Sequence, residues 1–136
     1  MKKNLIILAI ASISLSNPLS VFATEAVDTL LTEYRTQNAD NFNAEAGKSL
    51  WFQEFTNDKT GQLRQCTTCH TDDLRNAGKH VRTGKVIKPL APSVNSERLT
   101  NLKDIRKWLK RNCKWTLGRE CTVQEKGDIL TFIQTQ

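Results

Sequence analysis

Cys66-Thr67-Thr68-Cys69-His70 is the stretch on which the reading of this chain turns. Two cysteines three positions apart, with a histidine directly after them, form the attachment signature of c-type haem. Each thiol can add to one vinyl group of the macrocycle, and the histidine then reaches the iron as proximal ligand. The motif therefore assigns Cys66 and Cys69 as the covalent attachment points of one haem c, and His70 as the proximal ligand. The far side of the iron is less usual. Met1 is the only methionine, so the thioether that commonly completes an electron-carrying c-type centre is missing. Whatever stands opposite His70 is a weaker ligand, or nothing, which points to a haem that binds small molecules.

Upstream, residues 1–23 read as an export signal. Lys2 and Lys3 give a positive start, an apolar run extends from Leu5 to Leu15, Asn17-Pro18 breaks it, and Val21-Phe22-Ala23 offers small residues to a signal peptidase. The run is about eleven residues long, against roughly 20 needed to span a bilayer. A retained anchor is the alternative, but no other segment approaches spanning length. The mature chain, residues 24–136, is expected to be periplasmic, with no membrane span. Its roughly 113 residues make one domain. Such a short chain has a thin core, to which a covalent macrocycle would add apolar mass. Without Lys2 and Lys3, 18 basic residues face 14 acidic ones. That mild excess is not the footprint of a nucleic-acid binder.

Export also bears on the four cysteines, Cys66, Cys69, Cys113 and Cys121. In an oxidising compartment two thioethers and one disulfide use them all. A four-cysteine zinc site is the rival, but it leaves His70 a coincidence. A redox-active CxxC is another, without the βαβ pattern expected around it.

The chain shows no β-run, and helical periodicity appears four times. Val27, Leu30, Leu31 and Tyr34 mark a helix from about Glu25 to Thr36, followed by a polar connector over residues 38–43. Ala46, Gly47, Leu50, Trp51 and Phe55 predict a second from about Ala44 to Phe55. Gly47 one turn from Trp51 suits a close helix crossing, or is simply a glycine tolerated at about 1 kcal/mol. Residues 57–61 read as a turn. Residues 71–96, with Gly78, Gly84, Pro89 and Pro92, read as a long irregular loop, a length uncommon unless it serves a site. A third helix is expected from about Asn101 to Asn112 with Thr100 as N-cap. A fourth opens with Thr122-Val123-Gln124-Glu125, a capping box, and carries Ile129, Leu130 and Ile133. The predicted fold is small and all-α.

On the third helix Leu102, Ile105, Trp108 and Leu109 line one face, and Asn112 extends that stripe with a polar amide. Two readings stand: a distal iron ligand, or an asparagine capping the helix end. His80 competes for the iron, although its loop would have to pass around the ring edge. It equally suits an exposed loop residue or a propionate partner. A vacant sixth position also stays open. On the proximal side the Pro89 carbonyl is a candidate to orient the second nitrogen of His70, with an ordinary turn proline as the alternative. Lys103, Arg106, Lys107, Lys110, Arg111 and Lys114 form a basic run suited to an acidic redox partner, or a merely solvated face.

Cys66-x-x-Cys69-His70, Thr83-Gly84-Lys85-x-Ile87-x-Pro89-x-Ala91-Pro92, Lys107-Trp108-x-x-Arg111-Asn112-Cys113, Gly118-Arg119-x-Cys121-Thr122 and Glu125-Lys126 together resemble the SHP-type, asparagine-ligated, oxygen-binding cytochromes c. The resemblance covers about Ala44 to the C-terminus and implies a class I-like cytochrome c fold around one haem. It implies Asn112 as the distal ligand, released on reduction or ligand binding, with ferrous haem taking up oxygen or nitric oxide. It also implies a Cys113–Cys121 disulfide, which would stabilise by about 2–3 kcal/mol on a chain-entropy model. A dihaem cytochrome c and a membrane cytochrome b are the implied electron donors. A plain electron shuttle is the alternative function. A peroxidase-like enzyme would need a distal acid–base group. Only His80 is left over for it, with Arg111 or Arg119 to polarise a peroxide, so no catalytic residue is assigned.

Overall fold

Val27, Leu30, Leu31 and Tyr34 bury one face of α1, Ser20–Thr36. This helix begins before Glu25 in the computed structural model, which describes residues 20–136 and side chains from residue 25. The stretch read as an export signal therefore lies almost wholly outside the described residues, and its last residues, 20–23, run as helix. Asn43 opens α2, Ala44–Phe52, by accepting from the Glu45 and Ala46 amides at 2.8 and 3.3 Å. This helix stops three residues short of the expected end, because Phe55 is taken into a strand.

Two short hairpins correct the expectation of no β-structure. β1, Phe55–Thr56, pairs antiparallel with β2, Leu63–Arg64. The turn between them is organised by Asn57, whose carboxamide oxygen accepts from the Lys59 and Thr60 amides at 3.1 Å each. After one helical turn, α3 at Thr67–His70, β3 at Gly78–Lys79 pairs with β4 at Val86–Ile87. Ladders of two residues carry no period-two pattern, which is why the sequence did not announce them. The rest of residues 71–96 is irregular, as expected.

α4 spans Leu102–Thr116. Its N-cap is Asn101, accepting from the Asp104 amide at 3.0 Å, rather than Thr100, whose hydroxyl donates to the Glu97 carbonyl. The helix also runs a full turn past Asn112 and ends before Gly118, where φ is +76° and a side chain would be strained. α5, Val123–Gln134, has the expected capping box: Thr122 Oγ1 accepts from the Glu125 amide at 3.1 Å, and Glu125 Oε2 accepts from the Thr122 amide at 2.8 Å.

Packing centres on α5. A Cβ on Gly47 would lie 2.0 Å from the Asp128 carbonyl oxygen and 2.9 Å from Phe132 Cβ, so α2 and α5 cross at backbone contact. Trp51, one turn on, meets Phe132 with ring centroids 6.0 Å apart. Asp128 is buried at this crossing, and its Oδ1 accepts from the Asn43 amide (2.7 Å) and Gln124 Nε2 (3.0 Å). One core cluster joins Trp51, Leu74, Ala91, the Cys113 and Cys121 side chains, Ile129 and Phe132. A second joins α1 to Ile105 and Leu130. Together these helices make the small all-α architecture expected from the sequence.

Gly47→Ala is expected to lower stability by about 1–3 kcal/mol through overpacking at the crossing, read from the urea midpoint at unchanged slope. A glycine merely tolerated in a helix would gain about 1 kcal/mol on the same change, so the sign of the shift decides.

Candidate haem-binding site

The motif folds as local chemistry predicts. Cys66 enters α3 in helical conformation, and its carbonyl accepts from the Cys69 and His70 amides at 3.3 and 3.2 Å. Residues three and four apart share one helix face, so one turn gathers Cys66, Cys69 and His70. Thr71 then leaves the helix at φ +66°, strained for a β-branched residue. Its hydroxyl donates to the Asp73 carbonyl at 2.8 Å. From behind, a Cβ on Gly78 would fall 2.0 Å from the Cys69 carbonyl oxygen, so β3 lies directly on the turn.

The electrostatics suit a neutral attachment site. Cys66 and Cys69 are unpaired and half-buried, and burial pushes the Cys66 thiol up to about 12. A thioether carries no charge and is at home there. Cys113 and Cys121 are disulfide-bonded, with Cα atoms 5.5 Å apart, so the four-cysteine zinc arrangement is ruled out. Burial first, and the Arg98 guanidinium second, bring the His70 pKa down to about 4. The imidazole is thus neutral near pH 7, with a nitrogen lone pair free for a metal. Its ring sits against Trp51 at 5.6 Å between centroids.

The Pro89 carbonyl does not orient His70. It accepts from Asn95 Nδ2 and from Arg98 Nε, both at 2.8 Å, and these two bonds use both lone pairs. Arg98 Nη2 adds the Lys88 carbonyl at 2.7 Å. The proline loop is thus held by Arg98, a cation whose role the sequence did not signal.

α4 divides differently from the sequence expectation. Its buried stripe runs Ile105, Leu109, Cys113 and Thr116, with Leu109 half-buried. Trp108, 47% exposed, and Asn112, exposed, form the neighbouring row, so Asn112 does not complete the stripe. The capping role for Asn112 also fails, since the helix continues to Thr116. Among the described residues no hydrogen-bond partner engages the Asn112 amide. His80 lies in the β3–β4 turn, where its Nδ1 accepts from the Thr83 amide at 3.2 Å, leaving Nε2. In the basic run, Arg106 pairs with Glu33, while Lys110 and Lys114 reach Glu120 at 3.6 and 3.1 Å. Lys107 and Arg111 lie over the Trp108 ring at 5.1 and 5.2 Å.

The residues present fit a haem. Leu63, Val81, Val86, Val94 and Trp108 leave large apolar side chains exposed. Trp51 Nε1 and Arg64 Nε are buried donors with no acceptor among the described residues, and a haem brings two carboxylates. Cys66 and Cys69 would hold the macrocycle and His70 its iron.

A family model described as a domain of unknown function (DUF1924) matches residues 37–133. The chain is 40% identical over 107 residues to the cytochrome c-type protein SHP of Cereibacter sphaeroides, covering 79% of this chain and 81% of that protein. A solved structure described as oxidized SHP, an oxygen binding cytochrome c, superposes with a TM-score of 0.72 at 38% identity, over 81% of this chain and 96% of that one. The solution structure of cytochrome c'' from Methylophilus methylotrophus, described as giving insights into haem-ligand detachment, follows with a TM-score of 0.70 at 27% identity, over 83% and 95%.

Replacing both Cys113 and Cys121 by serine is expected to cost about 2–3 kcal/mol, read by urea unfolding of the haem-loaded protein. Gly78→Ala should lower the haem-to-protein absorbance ratio of purified material, because its Cβ displaces the Cys69 carbonyl. An unchanged ratio would show that β3 does not support the motif.

Proposed function

This chain belongs to the SHP family of c-type cytochromes and carries one covalent haem c, and we propose that it is an exported, electron-accepting protein that binds diatomic gases beside a displaceable Asn112. When bound, the haem would supply a redox-active iron able to take up a small ligand. His70, neutral and packed on Trp51, provides the firm side. Asn112 provides the weak side, because a carboxamide is a poorer donor to iron than imidazole or thioether.

The observation that carries this reading is the Trp108–Asn112 row. An exposed indole and an exposed amide with no described hydrogen-bond partner stand one turn apart on α4, which leaves both available to a bound haem. Cys113, the next residue, is tied to Cys121 at the start of α5. An asparagine that swings off would therefore leave the helix in place. The relative described as an oxygen binding cytochrome c supports oxygen as one gas, and nitric oxide is chemically equivalent in size and preference for ferrous iron.

The electron donor is proposed to be an acidic cytochrome, of dihaem c or membrane b type. Lys103, Lys107 and Arg111 have no acidic partner among the described residues. Lys107 and Arg111 flank Trp108, and charge complementarity at such a patch speeds encounter. Residues 1–23 carry the proposed export signal and the destination is the periplasm. No helix among the described residues is long and apolar enough to cross a membrane.

Optical spectra of the oxidised and dithionite-reduced protein test the reading. The reduced spectrum should change on adding carbon monoxide, oxygen or nitric oxide. Asn112→Ala should turn the oxidised iron high-spin while far-ultraviolet circular dichroism stays as in the parent. A reduced spectrum indifferent to all three gases, with Asn112→Ala still low-spin, would make the chain a plain electron shuttle with another sixth ligand.

A further inference from the structure

Arg64 lies two residues before the haem motif, yet its guanidinium is committed to the far helix. Nη1 donates to the Trp115 carbonyl at 2.8 Å, and the guanidinium plane sits over the Trp115 ring at 4.7 Å. Trp115 is in the last turn of α4, three residues beyond Asn112. Carbonyls of a last helical turn have no partner within the helix, so this bond supplies one from outside. The third feature is a deficit: Arg64 Nε is buried and has no acceptor among the described residues. A buried donor of a charged group left unpaired is costly, and such sites in native proteins accept an ion or ligand.

We propose that Arg64 is a positioning residue that joins a haem propionate to the end of the distal helix, Nε serving the carboxylate while Nη1 and the ring stack hold Trp115. A carboxylate is the acceptor that matches a guanidinium in charge and planar geometry. No carboxylate of the chain is paired with Arg64 among the described residues, whereas a haem attached at Cys66 brings two. Arginine suits this double role, since its rigid fork serves two acceptors at once while its face stacks on an indole. A lysine offers one point charge. The consequence is mechanical. The haem edge and the helix bearing Asn112 share one side chain, so the freedom of Asn112 to leave depends on Arg64. The inference rests on the assignment of Asn112 to the distal side.

The test compares Arg64→Gln, Arg64→Lys and Asn112→Ala in haem-loaded protein, reading the midpoint potential, the high-spin fraction of the oxidised form and the rate of carbon monoxide uptake by the reduced form. Arg64→Gln should lower the potential, because a cation that favours the ferrous state is lost. It should also raise the high-spin fraction and quicken carbon monoxide uptake several-fold. Arg64→Lys should keep most of the potential but share the changes in spin state and rate. Parent-like potential, spin state and rate in Arg64→Gln would overturn the proposal. If that variant fails to load haem, a parent-like spin state and rate in Arg64→Lys overturn it instead. Should Asn112→Ala leave coordination untouched, the distal assignment fails by itself, and the potential of Arg64→Gln still decides the carboxylate bond.

Discussion

The contact of Gly47 with the Asp128 carbonyl is the constraint from which the rest of the structure hangs. Only a residue without a Cβ lets α2 and α5 meet at backbone distance, and the crossing fixes two things at once. On α2 it sets Trp51 between Phe132 and His70, so the proximal imidazole is backed by packed aromatic surface. On α5 it fixes the N-terminal end, where Cys121 precedes the capping box. Asp128, buried at the same point, uses its carboxylate to hold Asn43, the cap of α2. The crossing and the helix start are thereby one cooperative unit.

α4 is fastened to that unit at both ends. Towards its start, Ile105 enters the cluster made by α1, and Arg106 pairs with Glu33 on the same helix. This gives residues 24–43 a role that the motifs alone left open. At its end, the Cys113–Cys121 bridge, the Arg64 bond to Trp115 and the turn at Gly118 limit movement. An exposed pair such as Lys114 and Glu120 adds little beside a covalent tie. Between these fixings, Trp108 and Asn112 face outward on a rigid rod. Such an arrangement suits the distal role proposed for Asn112, which could then depart without taking its helix along.

The charges near the motif follow a consistent logic. Burial keeps the Cys66 thiol and the His70 ring neutral. The nearby permanent charges are arginines, which cannot shed their proton in a protein and hold loops by donating to carbonyls. Arg98 binds the Lys88 and Pro89 carbonyls, and Arg64 binds that of Trp115. Arg98 thereby acts on His70, and Arg64 stands two residues before Cys66.

The amino-acid sequence by itself determined the chemistry of the motif, the helical class, the capping box of α5 and the absence of a methionine ligand. Each of these is written in residues within a turn or two of one another, or in composition alone. Tertiary structure decided whether Cys113 or Asn112 completes the buried stripe of α4, since both follow Leu109 at helical spacing and only the position of α5 distinguishes them. It decided that Asn95 and Arg98 occupy the Pro89 carbonyl, and that α4 continues past Asn112. It also exposed Arg64, whose partner lies 51 residues away and leaves no local signature. Short-range covalent geometry and helix periodicity act between neighbours and so can be read from order. The choice of partner for a carbonyl or a guanidinium is made among distant groups that only packing brings within 3 Å.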